Sequence, residues 1–157
     1  MSPLVMLLAV VAAADPRTAA CRLASPTAAA ELLYRSFRDF PQRPGDAAAL
    51  LSPRLLRLLE RDRACSAIEQ CAISSDPWTG AQDGAMLPPV TFAEMARPKH
   101  AAMVRTCYRF SLDVARNKTC AVVVVTRDAK GCWRIDDLKS PDGTSLYDTL
   151  SSYDYGD

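Results

Sequence analysis

Six cysteines, all between residues 21 and 132, constrain the fold of this chain more than any other feature. An apolar run of eleven residues, Leu4 to Ala14, precedes them. The run is too short to span a bilayer, which takes about 20 residues, but it has the length and the small-residue end of a signal peptide. Thiols that reach an oxidising compartment usually form disulfides. We therefore predict a periplasmic or secreted protein held together by disulfides, with residues 1–14 as its signal peptide.

The first cysteine raises the alternative of a lipid anchor. Cys21 would carry a lipid if the leader were that of a lipoprotein. Thr18 stands where such leaders have an aliphatic residue, and residues 15–17 separate the cysteine from the apolar run. These two features argue against a lipid anchor at Cys21, and we expect no transmembrane span.

The charges of the chain nearly cancel, since 19 Lys and Arg stand against 18 Asp and Glu. A nucleic-acid-binding domain normally carries excess positive charge because it neutralises phosphates, so we expect no nucleic-acid partner. The chain has one histidine, and its cysteines lack the spacing of a zinc site. We expect neither a metal nor another cofactor. All six cysteines are therefore assigned to structural disulfides: Cys21, Cys65, Cys71, Cys107, Cys120 and Cys132.

The first half of the mature chain predicts helices. Ser25-Pro26 and Ser52-Pro53 each combine an N-cap residue with proline at the first helical position. The first helix is expected to end before Pro41, and the second to reach about Arg63, with a short helical piece over Asp46 to Leu51 between them. The apolar stripe of the first helix comprises Ala30, Leu33, Phe37 and Phe40.

The second half predicts an antiparallel meander. Turn signals crowd residues 65–98 and leave room for one short strand near Val90 to Phe92. Val104 to Val114 alternates between apolar and polar residues, as a half-buried strand does. Thr119 to Arg127 contains four consecutive valines, which indicates a central strand with both faces covered. Cys132 to Leu138 is the last predicted strand, after turns at 115–118 and 128–131.

The predicted fold class is α+β, with N-terminal helices packed on a curved antiparallel sheet. Residues 27–150 form a single domain, because a chain of this length supports one hydrophobic core. A short segment, 15–26, precedes the domain, and a mobile acidic tail, 151–157, follows it.

The predicted turns also limit the disulfide pairing. A tight turn at 115–118 would place Cys107 opposite Thr126, roughly 20 Å from Cys120 at the rise of a strand. Cys132 would lie on the far outer strand, beyond the 7 Å limit for a bridge. No two of the three strand cysteines could then bond each other. Each would have to bond Cys21, Cys65 or Cys71, which excludes a bridge between Cys65 and Cys71.

Several short segments carry a resemblance to a known family. They are Leu51-Ser-Pro-Arg-Leu55, Asp76-Pro77, Ala81-Gln-Asp83, the strand Trp133 to Leu138, and Ser145-Leu146 ahead of Leu150. Over roughly Thr27 to Leu150 the chain resembles the exported bacterial family called domain of unknown function 3828. Its helix-before-sheet order looks like the cone-shaped fold called nuclear-transport-factor-2-like. The resemblance implies that fold and an envelope location, and it brings no catalytic residues.

Only two residues qualify as catalytic candidates, and both are weak. His100 is the only histidine and lies in a charged loop, where a solvated surface histidine is the usual outcome. Asp136 is followed by Asp137, but neighbours on a strand point to opposite faces and cannot share a proton or a substrate. We expect Trp133 and Ile135 to point inward, and these carboxylates to lie at the wet end of the strand.

The loop from Asp76 to Asp83 is the best candidate for a ligand or partner surface. Asp76, Trp78, Gln82 and Asp83 combine an aromatic ring with side chains that can hydrogen-bond a ligand. The alternative is structural: Trp78 would cap the core, and the two aspartates would set turns.

The residues therefore favour a non-enzymatic binding module over an enzyme. It would bind an unidentified envelope protein or a small ligand, through this loop or through the concave face of the sheet. Two alternatives stay open. One is a small hydrolase, dehydratase or isomerase that uses an aspartate or His100 in a pocket. The other is a periplasmic immunity or inhibitor protein.

Overall fold

The computed structural model describes residues 21, 23–95, 101–113, 115 and 118–156. Three helices and four strands follow one another in these residues. They are α1 (Pro26–Ser36), α2 (Pro53–Ser66), β1 (Met86–Glu94), β2 (Ala101–Phe110), β3 (Thr119–Arg127), β4 (Trp133–Lys139) and α3 (Leu146–Ser152). The α+β class, with helices before an antiparallel sheet, is confirmed. The predicted signal peptide, residues 1–14, lies outside the described residues.

Serine caps start the first two helices where the sequence predicts them. The Ser25 Oγ accepts a hydrogen bond from the Ala28 amide at 3.1 Å, and the Ser52 Oγ accepts one from the Leu55 amide at 3.3 Å. Each cap satisfies an amide that has no partner within the helix. The helix α1 ends at Ser36, earlier than predicted, because the backbone of Phe37 leaves helical geometry. Residues 46–50, predicted to be helical, form turns.

The four strands form one antiparallel sheet in the order β1-β2-β3-β4, which confirms the meander. The strand β1 spans nine residues, more than the short piece predicted near Val90. Irregularities in register interrupt the pairing of β1 with β2 and of β3 with β4. Such bulges bend a strand and increase its twist.

One buried cluster joins the helices to the sheet. The helix α1 contacts all four strands, with Ala29, Ala30 and Leu33 fully buried. The helices α2 and α3 add leucines to the same cluster, and the strands add the side chains of one sheet face. The strand contributions include Val104, Tyr108, Ala121, Val123, Val125, Ile135 and Leu138. All three helices therefore cover the same side of the sheet.

Three disulfides are present, and two of them contradict the predicted pairing. Cys21 is bonded to Cys132, Cys65 to Cys71, and Cys107 to Cys120. The described residues contain no free cysteine. Three disulfides in one small domain indicate an oxidising compartment. Only the bond from Cys132 to an N-terminal cysteine agrees with the expected pattern.

The error in the pairing comes from the length of the connection between β2 and β3. The strand β2 ends at Phe110 and β3 begins at Thr119, so the connection is longer than the predicted four-residue turn. Cys107 therefore lies directly opposite Cys120, with the Cα atoms 4.1 Å apart. Alternation continues past the strand to Leu112, but that side chain is 66 % exposed and lies outside the sheet. Because Cys107 and Cys120 bond each other, Cys65 and Cys71 can form their short bridge.

The valine-rich strand β3 lies inside the sheet, as predicted, but the helices cover only one of its faces. Val123 and Val125 are fully buried in the core, whereas Val122 and Val124 on the other face are half-buried and lie outside the core cluster. The prediction of two covered faces is therefore correct for one face only within the described residues.

The helix α3 begins inside the predicted domain and extends through Ser152, two residues into the stretch predicted to be a mobile tail. Leu146 and Leu150 anchor it in the core. None of the helices in the described part of the chain is long and apolar enough to cross a membrane.

Candidate functional site

The side of the sheet that faces away from the helices presents an apolar surface with basic residues around it. We call it the open sheet face and define it by Met103, Arg105, Val122, Val124 and Lys139. Alternate residues of a strand point to opposite faces, so these side chains share one side of the sheet. Among the described residues, all three helices bury their side chains on the opposite side.

The strand register arranges the open sheet face in two rows. Arg105 of β2 pairs with Val122 of β3, which pairs in turn with Lys139 of β4. In the next row, Met103 pairs with Val124, which pairs with Asp137. Adjacent strands lie about 4.8 Å apart, so each row crosses three strands in roughly 10 Å. Two valines and a methionine thus form a small apolar centre, with a cation on either side of Val122.

Asp137 is the only carboxylate that the described strand residues contribute to this side, and it is buried. Its side chain accepts hydrogen bonds from the Ser145 Oγ at 2.7 Å, the Tyr147 amide at 2.9 Å and the Leu138 amide at 2.8 Å. The first two donors belong to the N-terminus of α3, where a negative charge is favourable. Asp137 therefore fixes α3 to β4.

A basic depression continues the open sheet face toward β1. It has a volume of about 260 Å³, and Arg109 and Lys118 line it beside Cys107. The guanidinium of Arg109 donates to the carbonyl of Pro88 through Nε at 3.1 Å and through a terminal nitrogen at 2.9 Å. This contact fixes the side chain and leaves its remaining N–H groups free to bind an anion.

The two predicted catalytic candidates do not form a site. His100 lies outside the described residues. Asp136 is buried and forms a two-point ion pair with Arg54, with one Nε–Oδ1 distance of 2.7 Å. The Arg54 guanidinium also lies over the ring of Tyr147, 4.2 Å from its centroid. The ion pair therefore joins β4 to α2, and the ring contact adds α3.

Asp136 and Asp137 turn to different partners, in keeping with the alternation of a strand. Both are only 7 % exposed, however, so the expectation that they lie at a wet strand end is wrong. The reason is that α2 and α3 pack beside β4 and supply the donors that buried carboxylates need.

The four residues of the predicted ligand loop do not form a common surface. Trp78 is 1 % exposed and lies in the core, where its indole donates to the Arg38 carbonyl at 3.0 Å. Tyr108 donates to the Trp78 carbonyl at 2.6 Å, and burial raises the pKa of its phenol. The Asp76 carboxylate accepts from the Trp78 amide at 2.8 Å, as in an Asx turn. Gln82 and Asp83 are exposed, so Trp78 shares no surface with them.

One cavity beside α2 contains a buried aspartate that the sequence analysis did not single out. This cavity has a volume of about 400 Å³, and its lining includes Pro41, Gln42 and Asp62. A second depression, of about 360 Å³, shares Pro41 and Gln42 and reaches Asp76. Asp62 is 3 % exposed. Its Oδ1 accepts hydrogen bonds from the Ala72 amide at 2.8 Å and from the Tyr155 hydroxyl at 3.2 Å.

Asp62 could have been found from the helix pattern. It follows Leu55 and Leu59 at the spacing of a core-facing stripe, so the carboxylate is directed inward.

The described lining of the cavity contains no histidine, cysteine or lysine. Desolvation first, and the charge of Asp62 second, raise the pKa of Tyr155 to about 12. The phenol therefore stays a donor to Asp62 at neutral pH, and the contact serves to attach the C-terminal segment.

Cys65, Glu69 and Cys71 are the one group in the described residues whose atoms are close enough to hold a metal ion, within 4.8 Å of one another. The two sulfur atoms are joined in a disulfide. A cysteine binds a metal as its thiolate, so this group does not fit a metal while the disulfide is intact.

No protein-family model matches this chain, and neither a search of curated proteins nor one of solved structures found a match. The resemblance to domain of unknown function 3828 stays a prediction. The open sheet face is a surface on which Val122 and Val124 lie outside the core cluster.

Proposed function

We propose that this protein is an exported, non-enzymatic binding domain, and that it binds another protein through the open sheet face. One observation carries the proposal: Val122 and Val124 lie outside the core, on the side of the sheet opposite to the one where the described helices bury their side chains. An antiparallel sheet with one solvated face normally alternates to polar residues there. Apolar surface with a polar rim is typical of protein interaction sites.

The buried aspartates all form structural contacts, which supports a binding role over catalysis. Asp136 is paired with Arg54, Asp137 holds the start of α3, and Asp62 holds Tyr155. Each buried carboxylate thus connects two elements of the fold. A general acid or base needs a proton-transfer path to a substrate, and none of these contacts supplies one.

The proposal includes a location and a fold family. The three disulfides favour an oxidising compartment. We infer that residues 1–14 direct the chain to the periplasm or the exterior and are then removed. We also infer that the domain is a nuclear-transport-factor-2-like cone of the domain of unknown function 3828 family. Helices that precede a bulged antiparallel meander support this assignment.

Site-specific photo-crosslinking in the native envelope tests the binding role. Val124→benzoylphenylalanine places the crosslinker on the open sheet face, and Arg57→benzoylphenylalanine places it on the exposed side of α2 as a control. We expect one specific adduct from position 124 and none from position 57. If position 124 gives no adduct, or both positions give the same one, the open sheet face is not the binding surface. An adduct with a toxin would make this protein an immunity protein.

A further inference from the structure

We propose that the partner is an acidic protein whose apolar centre, flanked by carboxylates, docks on the open sheet face. This inference rests on the proposed function and specifies the chemistry of the partner. Two observations support this choice of partner. Cations flank the valines of the open sheet face, and no described carboxylate is exposed among the residues that define it.

The open sheet face carries more positive charge than the chain as a whole. The chain as a whole has a formal net charge of only +1. Arg105 and Lys139 nevertheless flank Val122 in one row, and Arg109 and Lys118 line the adjoining depression. Among the described strand residues, the one carboxylate on this side, Asp137, is buried and bonded to the start of α3. A surface of one sign on a neutral chain attracts a partner of the opposite sign.

The flanking cations also lack partners within the described chain. Arg35, Arg43, Arg54 and Arg134 all pair with carboxylates. Arg105 and Lys139 have no hydrogen bond or ion pair to a described side chain. Carboxylates on a docked protein would supply the missing partners at the rim, while Val122 and Val124 contact the apolar centre. This is the usual anatomy of a protein interface, with an apolar core and a polar rim.

Other occupants fit the open sheet face less well. A second copy of this face would bring like charges together, which is unfavourable. A lipid surface selects aromatic and long apolar side chains, and the defined face contains no aromatic residue. Single-stranded nucleic acid also needs aromatic rings on which bases stack. An acidic protein needs only the aliphatic centre and the cations that are present.

Charge reversal at the rim tests this chemistry on the protein captured from position 124, after its identification and purification. Arg105→Glu/Lys139→Glu changes the charge of the rim by four units. Arg57→Glu/Lys130→Glu makes the same change at exposed positions off the face. Circular dichroism and thermal melts check that each variant is folded, and Arg105→Gln/Lys139→Gln replaces the reversal if it fails to fold.

We expect the reversal on the face to weaken binding by about tenfold or more, and the control by less than about twofold. Wild-type affinity should fall between 50 and 500 mM salt, because rim charges are screened. Equal affinity for the wild type and the reversed variant would overturn the acidic partner. If Val124→Lys still abolishes binding in that case, the proposed function stands and only the chemistry is wrong. Salt-dependent binding to phosphatidylglycerol vesicles, with no protein adduct at position 124, would indicate a membrane surface instead.

Discussion

Cys107 of β2 and Cys120 of β3 lie directly opposite each other and are joined by a disulfide, with their Cα atoms 4.1 Å apart. This pairing fixes the register of the two central strands. A shift of one residue would exchange the core face of β3 with its open face, and would place Val122 and Val124 under the helices. The disulfide therefore stabilises the same register that brings the valines and Arg105 to the open sheet face.

The disulfide pairs can be verified by peptide mapping. A non-reducing digest should yield linked peptides for Cys65 with Cys71, Cys107 with Cys120, and Cys21 with Cys132. A linked peptide that joins Cys107 to Cys65 or to Cys71 would contradict the register of β2 and β3. The reduced digest serves as the control, because it should release all the linked peptides.

The three bridges should differ in their contribution to stability. Cys21 and Cys132 are 111 residues apart in sequence, whereas Cys107 and Cys120 are 13 apart. A bridge that closes a loop of about 100 residues stabilises by about 4.7 kcal/mol in the chain-entropy model, and one of about 15 residues by about 3 kcal/mol. In urea titrations, Cys21→Ala/Cys132→Ala should therefore lower the free energy of unfolding by about 1 to 2 kcal/mol more than Cys107→Ala/Cys120→Ala. The reverse order would contradict the entropic argument.

Thr106 should be a stabilising position for valine. Its side chain is fully buried on the core face of β2, and its hydroxyl has no hydrogen-bond partner. Valine has the same shape without the polar atom, so Thr106→Val removes an unsatisfied group. We expect the free energy of unfolding to rise by about 1 kcal/mol in a denaturant titration. Thr126→Val, on the half-buried face of β3, is the control and should change it by less than about 0.5 kcal/mol. A loss of stability in Thr106→Val would show that the hydroxyl has a partner.

Local signals in the sequence predicted the starts of the helices well. Ser25 and Ser52 accept the hydrogen bonds expected of N-cap residues, from backbone amides three residues later. These bonds are predictable because a cap depends only on residues within one turn. The meander was predictable for the same reason, since alternation and turn residues act locally. The buried Asp62 was visible in the helix stripe and was overlooked.

Features that depend on distant residues could not be predicted. The alternation in the sequence runs to Val114, although β2 ends at Phe110, and nothing nearby in sequence shows where its partner strand stops. That error shifted the register and excluded two disulfides that are present. The sequence left open whether Trp78 belongs to a ligand surface or caps the core, because its position in the core depends on Arg38 and Tyr108, which are 40 and 30 residues away. The four valines correctly indicated a central strand, and the described chain covers only one of its faces.

Asp137 should be essential for the attachment of α3. Asp137→Ala leaves the Ser145 hydroxyl and the Tyr147 amide without their acceptor and removes the anion at the start of the helix. We expect the free energy of unfolding to fall by about 2 to 4 kcal/mol, and amide exchange in α3 to accelerate. Asp148→Ala, at an exposed position in the same helix, is the matched control and should cost about 0.5 kcal/mol. Equal effects of the two substitutions would show that Asp137 does not hold the helix.

Asp128 should make stability depend on pH in the acidic range. Desolvation raises the pKa of its carboxyl, but hydrogen bonds from the Cys132 amide, the Arg134 guanidinium and the Lys130 amide together lower it below the usual 3.8. The unfolded chain therefore binds this proton at higher pH than the folded chain does. The stabilisation is complete above the unfolded pKa and is lost as the pH falls through the lower folded value.

Urea midpoints measured from pH 6 down to pH 2 should fall less steeply in Asp128→Asn than in the wild type. Asp83→Asn, an exposed carboxyl in the loop before β1, should retain the wild-type slope. If Asp128→Asn also retains it, the hydrogen bonds do not favour the ionised form of Asp128.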